Sequence, residues 1–178
     1  MKKKLIIIGA GGHGRVIADL VSLSGEFELA GFADDGRKRG DEVMDGKKVL
    51  ATASEKELLS SLATHFIVAL GNNATRKKIF DELSLVMQAA TLVHPSAVIS
   101  RHAALGAGTV VLANAVVNAG SRIGTNCIVN SISLVDHDTQ IGDHVHIAQG
   151  TVIGSNCRVA DQFSTIPGQV IPSNSTAG

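Results

Sequence analysis

A six-residue repeat of aliphatic side chains runs through the second half of the chain and restricts the folds that it can adopt. Every sixth position from residue 99 to residue 159 is Ile, Leu or Val. These positions are Ile99, Leu105, Val111, Val117, Ile123, Val129, Val135, Ile141, Ile147, Ile153 and Val159. An α-helix repeats every 3.6 residues or so and a strand every two, so neither element alone directs these side chains to one side.

A second column of residues, two positions before the first, keeps the same period and is almost entirely small. It consists of Ala97, Ala103, Thr109, Ala115, Ser121, Cys127, Ser133, Thr139, Val145, Thr151 and Cys157. Short strands joined by turns, three to a coil, would direct both columns into a narrow triangular prism. The pattern predicts a parallel β-helix of hexapeptide repeats over residues 91–178, and the absence of Trp and Tyr agrees with so narrow an interior.

The repeat changes after Val159, where its phase would place the polar Thr165 inside. We predict a one-residue skip that brings Val170 to an inward position, followed by a frayed tail, "PSNSTAG". A solenoid needs a cap on its last coil, and none follows here. We therefore expect either a chain that is shortened at its C-terminus or a partner that covers the open end.

Residues 1–90 alternate between predicted strands and helices, which is typical of a parallel α/β domain. The segment "KKLIIIGAGGHGRVIADLVSLSG" predicts a strand, a glycine turn and a helix, and "FELAGFADD" and "THFIVALGNN" predict two more strands. "NATRKKIFDELS" predicts a helix capped by Asn72 or Asn73. The expected architecture is a Rossmann-like α/β domain, residues 1–90, followed by the β-helix domain, residues 91–178.

The glycine turn supports two interpretations. Gly9, Gly11 and Gly14 fit G-x-G-x-x-G, and Asp34 follows about twenty residues later, as in dinucleotide-dependent oxidoreductases. However, the domain has half the length of a full Rossmann sheet, and a solenoid offers no site for hydride transfer. A glycine turn, a helix N-terminus and acids at strand ends also form a nucleotide or phosphate pocket. His13 would either donate to this pocket or cap the helix.

Composition excludes several classes of partner. Lys plus Arg equals Asp plus Glu, at 16 each, so we expect the protein to bind neither nucleic acid nor an acidic membrane. The apolar run after "MKKK" is too short for a signal peptide, and no stretch is long enough to span a bilayer, so we expect a soluble cytoplasmic protein. Cys127 and Cys157 would lie on different faces of the prism, which makes a disulfide between them unexpected.

The segment "LVDHDTQIGDHVHIAQG" contains three of the seven histidines. In the predicted register His137 lies at a corner of the prism and His146 points outward. Asp136 and Asp138 flank His137, as is typical of a general base with an orienting acid. Two alternatives are a solvated histidine face and a zinc site formed by His137, His144 and His146. Because no carboxylate or cysteine completes a tetrahedral set, we expect no metal.

Taken together, "IIIGAGGHGRVIADL", "FADD", "ALGNN", "IVNSISLVDHD" and "HVHIAQG" resemble the NeuD/PglD family over residues 4 to about 172. Members are acetyl-CoA-dependent acyltransferases that act on nucleotide-linked amino sugars or on sialic acid. They are homotrimers with left-handed β-helices, and their active sites lie between adjacent β-helices. The resemblance implies a sugar N- or O-acetyltransferase of glycan biosynthesis, with acetyl-CoA as co-substrate and without a metal or a covalent enzyme intermediate.

The same resemblance implies a role for individual residues. His137 matches the general base, Asp138 the acid that raises its basicity, and Asn130 the asparagine near the acceptor sugar. His146 matches the residue at the thioester region of the coenzyme, and Ile166 a coenzyme contact. The positions that line the nucleotide-sugar site are Gly11, Gly12, His13, Asp34, Asp35 and Gly71.

Three functional hypotheses remain open at this stage. The first is acetyl transfer to the amino group of a nucleotide-linked sugar of the UDP-4-amino-sugar type. The second is transfer to a hydroxyl group of sialic acid or another sugar. The third is a non-catalytic protein that binds a nucleotide sugar, because the family's outer coils, which hold much of the coenzyme, have no counterpart here.

Overall fold

The computed structural model describes residues 2–178 and contains two compact units, the first ending at Ala90 and the second spanning Thr91–Gly178. The first unit is an α/β domain. Its elements are β1 (Lys3–Ile8), α1 (Gly12–Ser24), β2 (Phe27–Ala33), β3 (Glu42–Met44), β4 (Lys47–Ala51), α2 (Lys56–Leu62), β5 (His65–Val68), α3 (Asn73–Leu83) and β6 (Gln88–Ala89). The strands form one sheet in the order β3-β4-β2-β1-β5-β6, and every pair is parallel except β3 with β4.

Close backbone contacts explain two glycines of the turn between β1 and α1. Gly9 has a φ of 110°, and a Cβ there would lie 2.8 Å from the carbonyl oxygen of Ala69. A Cβ on Gly14 would collide with the carbonyl oxygen of Gly9, so α1 starts against β1 only because position 14 has no side chain. These two glycines of the G-x-G-x-x-G pattern therefore serve the packing of helix on strand.

The ends of the helices follow local sequence signals. Helix α1 ends at Gly25, which has the left-handed conformation common at helix C-termini. At the start of α3 the Asn72 side chain accepts a hydrogen bond from the Thr75 amide at 2.9 Å, which confirms Asn72 as the cap. The hairpin β3–β4 and helix α2 lie in segments to which the sequence assigned no element. The hairpin turns at Asp45 and Gly46, both with positive φ, as an Asp-Gly hairpin turn requires.

Residues 91–178 form a left-handed parallel β-helix of two-residue strands. The strands are β7 (Leu92–Val93), β8 (Val98–Ile99), β9 (Ala104–Leu105), β10 (Val110–Val111), β11 (Val116–Val117), β12 (Arg122–Ile123), β13 (Ile128–Val129), β14 (Leu134–Val135), β15 (Gln140–Ile141), β16 (His146–Ile147), β17 (Val152–Ile153), β18 (Arg158–Val159), β19 (Val170–Ile171) and β20 (Thr176–Ala177). Face 1 consists of β7, β10, β13 and β16. Face 2 consists of β8, β11, β14, β17 and β19, and face 3 of β9, β12, β15, β18 and β20.

The interior of the β-helix contains both predicted columns. Val117, Val135 and Ile153 of the aliphatic column are fully buried and stack one coil apart. In the small column the buried Thr109 and Thr139 hydroxyls each donate to a backbone carbonyl of the next coil at 2.8 Å. The prism therefore buries hydroxyl groups close to its corners without leaving them unsatisfied.

The predicted one-residue skip after Val159 is wrong. Val170 is 65% exposed and Ile171 only 5%, so the six-residue repeat continues unbroken to residue 171. Thr165 does lie inside, where its hydroxyl accepts a hydrogen bond from the Ala148 amide at 2.7 Å. Pairing of β19 with β17 fixes this register, since a shift by one residue would turn every side chain to the opposite side.

The segment that we expected to be frayed is also ordered. Its β20 pairs with β18, and Ala177 packs against the interior of the prism.

In the first unit, none of the helices described within residues 2–90 has the length and apolar character needed to cross a membrane.

Candidate active site

His137 lies in the turn that joins β14 of face 2 to β15 of face 3, and therefore at a corner of the prism. Asp138, the next residue, has a φ of 57°, the left-handed conformation that turns the chain at this corner. The side chains of His137 and Asp138 are 52% and 61% exposed. Both functional groups are thus accessible from solvent, as the register predicts for a corner.

The imidazole of His137 is held by Asp138. Its Nδ1 donates to the Asp138 Oδ2 at 2.8 Å. This hydrogen bond raises the pKa of His137 above its ordinary value, against an opposing effect of partial desolvation, and the negative charges of Asp136 and Asp138 add to the increase. With Nδ1 bound in this way, Nε2 of the neutral ring is the atom that can accept a proton.

Asp136, on the other side of His137, contacts the main chain of His137 and a side chain of the preceding coil. Its Oδ1 accepts a hydrogen bond from the His137 amide at 2.8 Å and another from Asn118 Nδ2 at 2.9 Å. The bond from Asn118, followed by that from the His137 amide, lowers the pKa of Asp136. Asn118 had not been identified from the sequence, although its spacing of eighteen residues from Asp136 corresponds to one coil.

Gly120 lies one coil before Asp138 and has a φ of 78°. A Cβ at this position would overlap Oδ1 of Asp138. The lack of a side chain at Gly120 therefore leaves room for the carboxylate that contacts His137. A cavity of about 290 Å³ next to this carboxylate is lined by Asp138, Gln140, Asn156, Cys157 and Arg158.

Asn130 and His146 lie close together in another part of the β-helix. His146 is the first residue of β16 on face 1, and Asn130 follows β13 on the same face. Asn130 Nδ2 donates to His146 Nε2 at 3.4 Å, and Asn130 Oδ1 accepts from the Ser131 amide at 2.8 Å. Within one chain, the residues predicted to act at the coenzyme and the acceptor are thus on a different face from the corner that holds His137.

The remaining histidine of the segment has a structural environment. His144 is buried in a turn with a φ of 59°, and its Nδ1 accepts from Asn126 Nδ2 of the preceding coil at 2.9 Å. Across residues 2–178, no cluster of three or more His, Cys, Asp or Glu side chains has an arrangement that could hold a metal ion. The alternative of a zinc site at His137, His144 and His146 therefore gains no support.

In the first unit, a cavity of about 220 Å³ lies at the carboxyl ends of β1 and β2, where parallel α/β sheets bind ligands. Asp34 and Asp35 line it, but both also support the backbone. Asp34 accepts from the Ala10 amide at 2.7 Å and from the Gly36 amide at 2.9 Å. Asp35 accepts from the Ala53 amide at 2.8 Å. Asp34 thus connects the glycine turn to the end of β2.

The other predicted residues of this site differ in their surroundings. A Cβ at Gly11, Gly12 or Gly71 would meet no atom within 4 Å, so these three glycines border open space. His13 lies half-buried in the first turn of α1. Ile166, in the second unit, is 70% exposed, and its amide donates to Gln169 Oε1 at 2.9 Å.

Arg76 is a residue of this region that the sequence did not reveal. It is fully buried in α3, and its Nη1 donates to the carbonyl oxygens of Leu70 at 3.1 Å and Gly71 at 3.4 Å. It therefore holds the loop that follows β5. An arginine within a helix is normally exposed, so its burial carries no signal in a single sequence.

Comparison with known proteins relates both units to one group. Residues 4–83 match the model of the PglD N-terminal domain. The acetyltransferase domain of PglB from Neisseria gonorrhoeae FA1090, solved in complex with acetyl coenzyme A, is 34% identical over 100% of this chain and 90% of that chain, with a TM-score of 0.76. The chain belongs to the NeuD/PglD family of sugar acyltransferases. One relative in the NeuD/PglD family, the PglB domain, has thus been solved with acetyl coenzyme A.

Two further NeuD/PglD relatives differ in how much of their length is matched. Perosamine N-acetyltransferase from Caulobacter crescentus, solved as a mutant with CoA and GDP-perosamine, is 28% identical over 97% of this chain and 84% of that chain, with a TM-score of 0.78. UDP-N-acetylbacillosamine N-acetyltransferase of Bacillus subtilis (strain 168) is 36% identical over 110 residues. That match covers 60% of this chain and 50% of the relative, so the chain spans about half the length of this curated NeuD/PglD protein.

Proposed function

We propose that this protein transfers an acetyl group from acetyl-CoA to the amino group of a nucleotide-linked amino sugar of the UDP-4-amino-sugar type. The observation that carries the proposal is the 2.8 Å hydrogen bond between His137 Nδ1 and Asp138 Oδ2 at an exposed corner. It orients the imidazole, raises its pKa, and leaves Nε2 to accept a proton. These are the properties of a general base that acts near neutral pH.

The reaction follows from this geometry. The sugar amine attacks the thioester carbonyl carbon and forms a C–N bond, while His137 Nε2 removes a proton from the nitrogen. The tetrahedral intermediate collapses with cleavage of the C–S bond, and the proton on the imidazolium passes to the leaving thiolate. The products are the acetamido sugar and free coenzyme A. Correct positioning of the two substrates supplies much of the acceleration, and a general base contributes roughly 100- to 10,000-fold.

The nucleotide part of the acceptor is assigned to the first unit. Gly11 and Gly12 border open space at the amino end of α1, where backbone amides and the helix dipole favour phosphate, and Gly71 borders open space in the loop that follows β5. His13, in the first turn of α1, is proposed to add a donor. Asp34 and Asp35 line the adjoining cavity, where their oxygens keep acceptor capacity for ribose or base groups.

The acceptor sugar and the coenzyme are assigned to the second unit. The contact between Asn130 and His146 supports a joint role for these residues, with Asn130 towards the acceptor and His146 towards the thioester. The exposed side chain of Ile166 offers an apolar surface for the pantetheine arm. Two matched relatives are named as N-acetyltransferases, which favours an amino group over a sialic acid hydroxyl as the acceptor.

Three copies of the chain are proposed to assemble through the β-helix. The residues that point outward from the strands of face 2 are all aliphatic. They are Val98, Val116, Leu134, Val152 and Val170. The corresponding residues of face 3 include two arginines, a glutamine and a threonine. Face 2 thus carries a continuous aliphatic column in which Val98, Val152 and Val170 are exposed, and this column favours burial against a second copy of the chain.

The test is the release of free thiol from acetyl-CoA in the presence of a UDP-4-amino sugar. We expect turnover by the wild-type protein and a 100- to 10,000-fold lower kcat, in order of magnitude, for His137→Ala, with little change in KM. His94→Ala is the matched control, because His94 is a half-buried histidine to which no role in the reaction is assigned. Equal thiol release by wild type and His137→Ala would disprove the role of His137. Saturable sugar binding without turnover would instead identify a non-catalytic protein.

A further inference from the structure

We infer that Asp136 and Asn118 together position His137 by fixing its backbone to the preceding coil, whereas Asp138 contacts only its ring. The inference rests on the proposed function, because it concerns the same base. It assigns different tasks to the two acids that flank His137. Neither Asp136 nor Asn118 touches the imidazole or needs to touch a substrate, so both are positioning residues.

The hydrogen bonds of Asp136 show how the backbone is held. One oxygen, Oδ1, accepts from the His137 amide at 2.8 Å and from Asn118 Nδ2 at 2.9 Å. Asn118 follows β11 and Asp136 follows β14, and these strands pair in register, with Val117 opposite Val135. The Asn118 side chain therefore fixes the carboxylate to a neighbouring coil, and the carboxylate fixes the amide of the base.

Ser121, from the same preceding coil, holds the other end of the turn. Its hydroxyl donates to the carbonyl oxygen of Asp136 at 2.6 Å and accepts from the Thr139 amide at 3.1 Å. The turn that presents His137 is thus attached to the coil before it at both ends. Because the His137 ring is more than half exposed, this attachment of the turn limits its motion. Small displacements of a catalytic group remove a large part of the rate acceleration that it provides.

Asp136 also has an electrostatic effect on the ring. The charged groups that shift the pKa of His137 are Asp138, through its hydrogen bond and its charge, and Asp136, through its charge. Arg158 is the basic residue that lines the cavity beside Asp138. Removal of the Asp136 charge should therefore lower the pKa of His137, and the loss of its hydrogen bonds should loosen the turn. The two effects can be separated by substitution.

Three variants separate charge from position. Asp136→Asn keeps an oxygen that can accept both hydrogen bonds and removes only the charge. Asp136→Ala removes the charge and both hydrogen bonds. Asn118→Ala removes the contact between coils and keeps the charge. Asp143→Asn is the matched control, since Asp143 is another turn aspartate that accepts a backbone amide from the preceding coil, that of Thr125 at 2.7 Å.

We expect kcat of Asp136→Ala to fall at least tenfold or so, with KM for both substrates changed by no more than about twofold. Asp136→Asn should keep most of kcat. The acid limb of its profile of kcat against pH should move to lower pH, because His137 must be neutral to act and its pKa is lower without the Asp136 charge. Asn118→Ala should lose kcat without a shift of this limb. Asp143→Asn should resemble the wild type. Equal kcat values for Asp136→Asn and Asp136→Ala would overturn the positioning role.

A second measurement does not depend on turnover. Hydrogen exchange of the His137 amide, followed by NMR in the protein without substrates, should be faster in Asp136→Ala and Asn118→Ala and unchanged in Asp136→Asn. Unchanged protection in Asp136→Ala would overturn the inference even if the protein is an active transferase. If the wild type shows no turnover, the proposed function fails, and the exchange rates still decide whether Asp136 and Asn118 hold the backbone.

Discussion

Ile132 and Gly150 occupy the same corner of successive coils, and both have a left-handed backbone, with φ values of 62° and 67°. The corresponding residues one coil before and one coil after this pair are Asn114 and Gly168, which also have positive φ. Glycine and asparagine adopt this conformation at low cost, whereas a β-branched residue does not. Because Ile132 is 69% exposed, burial within its own chain does not offset the strain.

Substitution of Ile132 by glycine should therefore stabilise the fold. Relief of the left-handed strain is worth about 1–3 kcal/mol, and the greater flexibility of glycine in the unfolded chain offsets about 0.5–1 kcal/mol of it. We expect the free energy of unfolding to rise by about 1 kcal/mol. Denaturant unfolding at several protein concentrations measures this, since any assembly would add to the apparent stability.

Val16→Gly is the control for Ile132→Gly. Val16 is also an exposed aliphatic residue, but it lies in α1, so glycine there brings flexibility without relief of strain. This variant should lose stability. If Ile132→Gly loses as much, the left-handed conformation of Ile132 is not strained.

Gly120→Ala should damage the site more than the fold. The new Cβ overlaps Oδ1 of Asp138, so the carboxylate must move away from the His137 ring. Gly168→Ala has nearly the same φ but no atom within 4 Å of the new Cβ. Both variants should lose about 1–2 kcal/mol of stability from the left-handed conformation. Steady-state thiol release should fall for Gly120→Ala only, and an equal fall in both would show that Asp138 does not need this space.

Asp138→Asn should shift the pH dependence of the reaction. The carboxylate raises the pKa of His137, mainly through its hydrogen bond, so the amide should lower that pKa. Because the neutral ring is the active form, the acid limb of kcat should move to lower pH, while the maximum of kcat falls with the weaker base. A profile of kcat against pH measures both effects. An acid limb at the wild-type position would mean that Asp138 does not control the protonation of His137.

Replacement of both cysteines by serine should leave the reaction intact. Cys127 and Cys157 are buried, and their thiols donate to the carbonyl oxygens of Gly142 at 3.2 Å and Pro172 at 3.1 Å. A serine hydroxyl can make the same bonds. We expect kcat within about twofold of the wild type, because general-base transfer needs no thiol nucleophile. A folded double variant without activity would point to a cysteine nucleophile instead.

The architecture of the β-helix could be predicted because each coil repeats the same environment. Every sixth side chain enters the prism, so the period is visible in the sequence, and it correctly placed His137 at a corner. The prediction failed at Thr165, where a polar residue in the inward column suggested a skip. Its hydrogen bond to the Ala148 amide satisfies the hydroxyl, and this partner depends on folded geometry that the period does not contain.

The first unit was less predictable for different reasons. The hairpin β3–β4 and helix α2 are short and rich in charged residues, so they lack a clear hydrophobic period. The sequence predicts that Asp34 binds a ligand, but it does not show that both of its oxygens accept backbone amides. The spacing of eighteen residues between Asn118 and Asp136 is visible in the sequence and corresponds to one coil. It does not show that the two side chains form a hydrogen bond, because that depends on their orientation in the folded coils.

The eighteen-residue interval between Asn118 and Asp136 limits how the length of this chain can change. An insertion of six residues between them would preserve every inward side chain, and by hydrophobic pattern alone it would look harmless. It would, however, rotate all later corners by a third of a coil and separate the two residues. An insertion outside the stretch from Asn118 to Thr139 would keep the contacts of this corner, and an insertion of whole coils would also keep the residues beyond it on their faces. Natural variation in length should therefore occur in steps of eighteen residues.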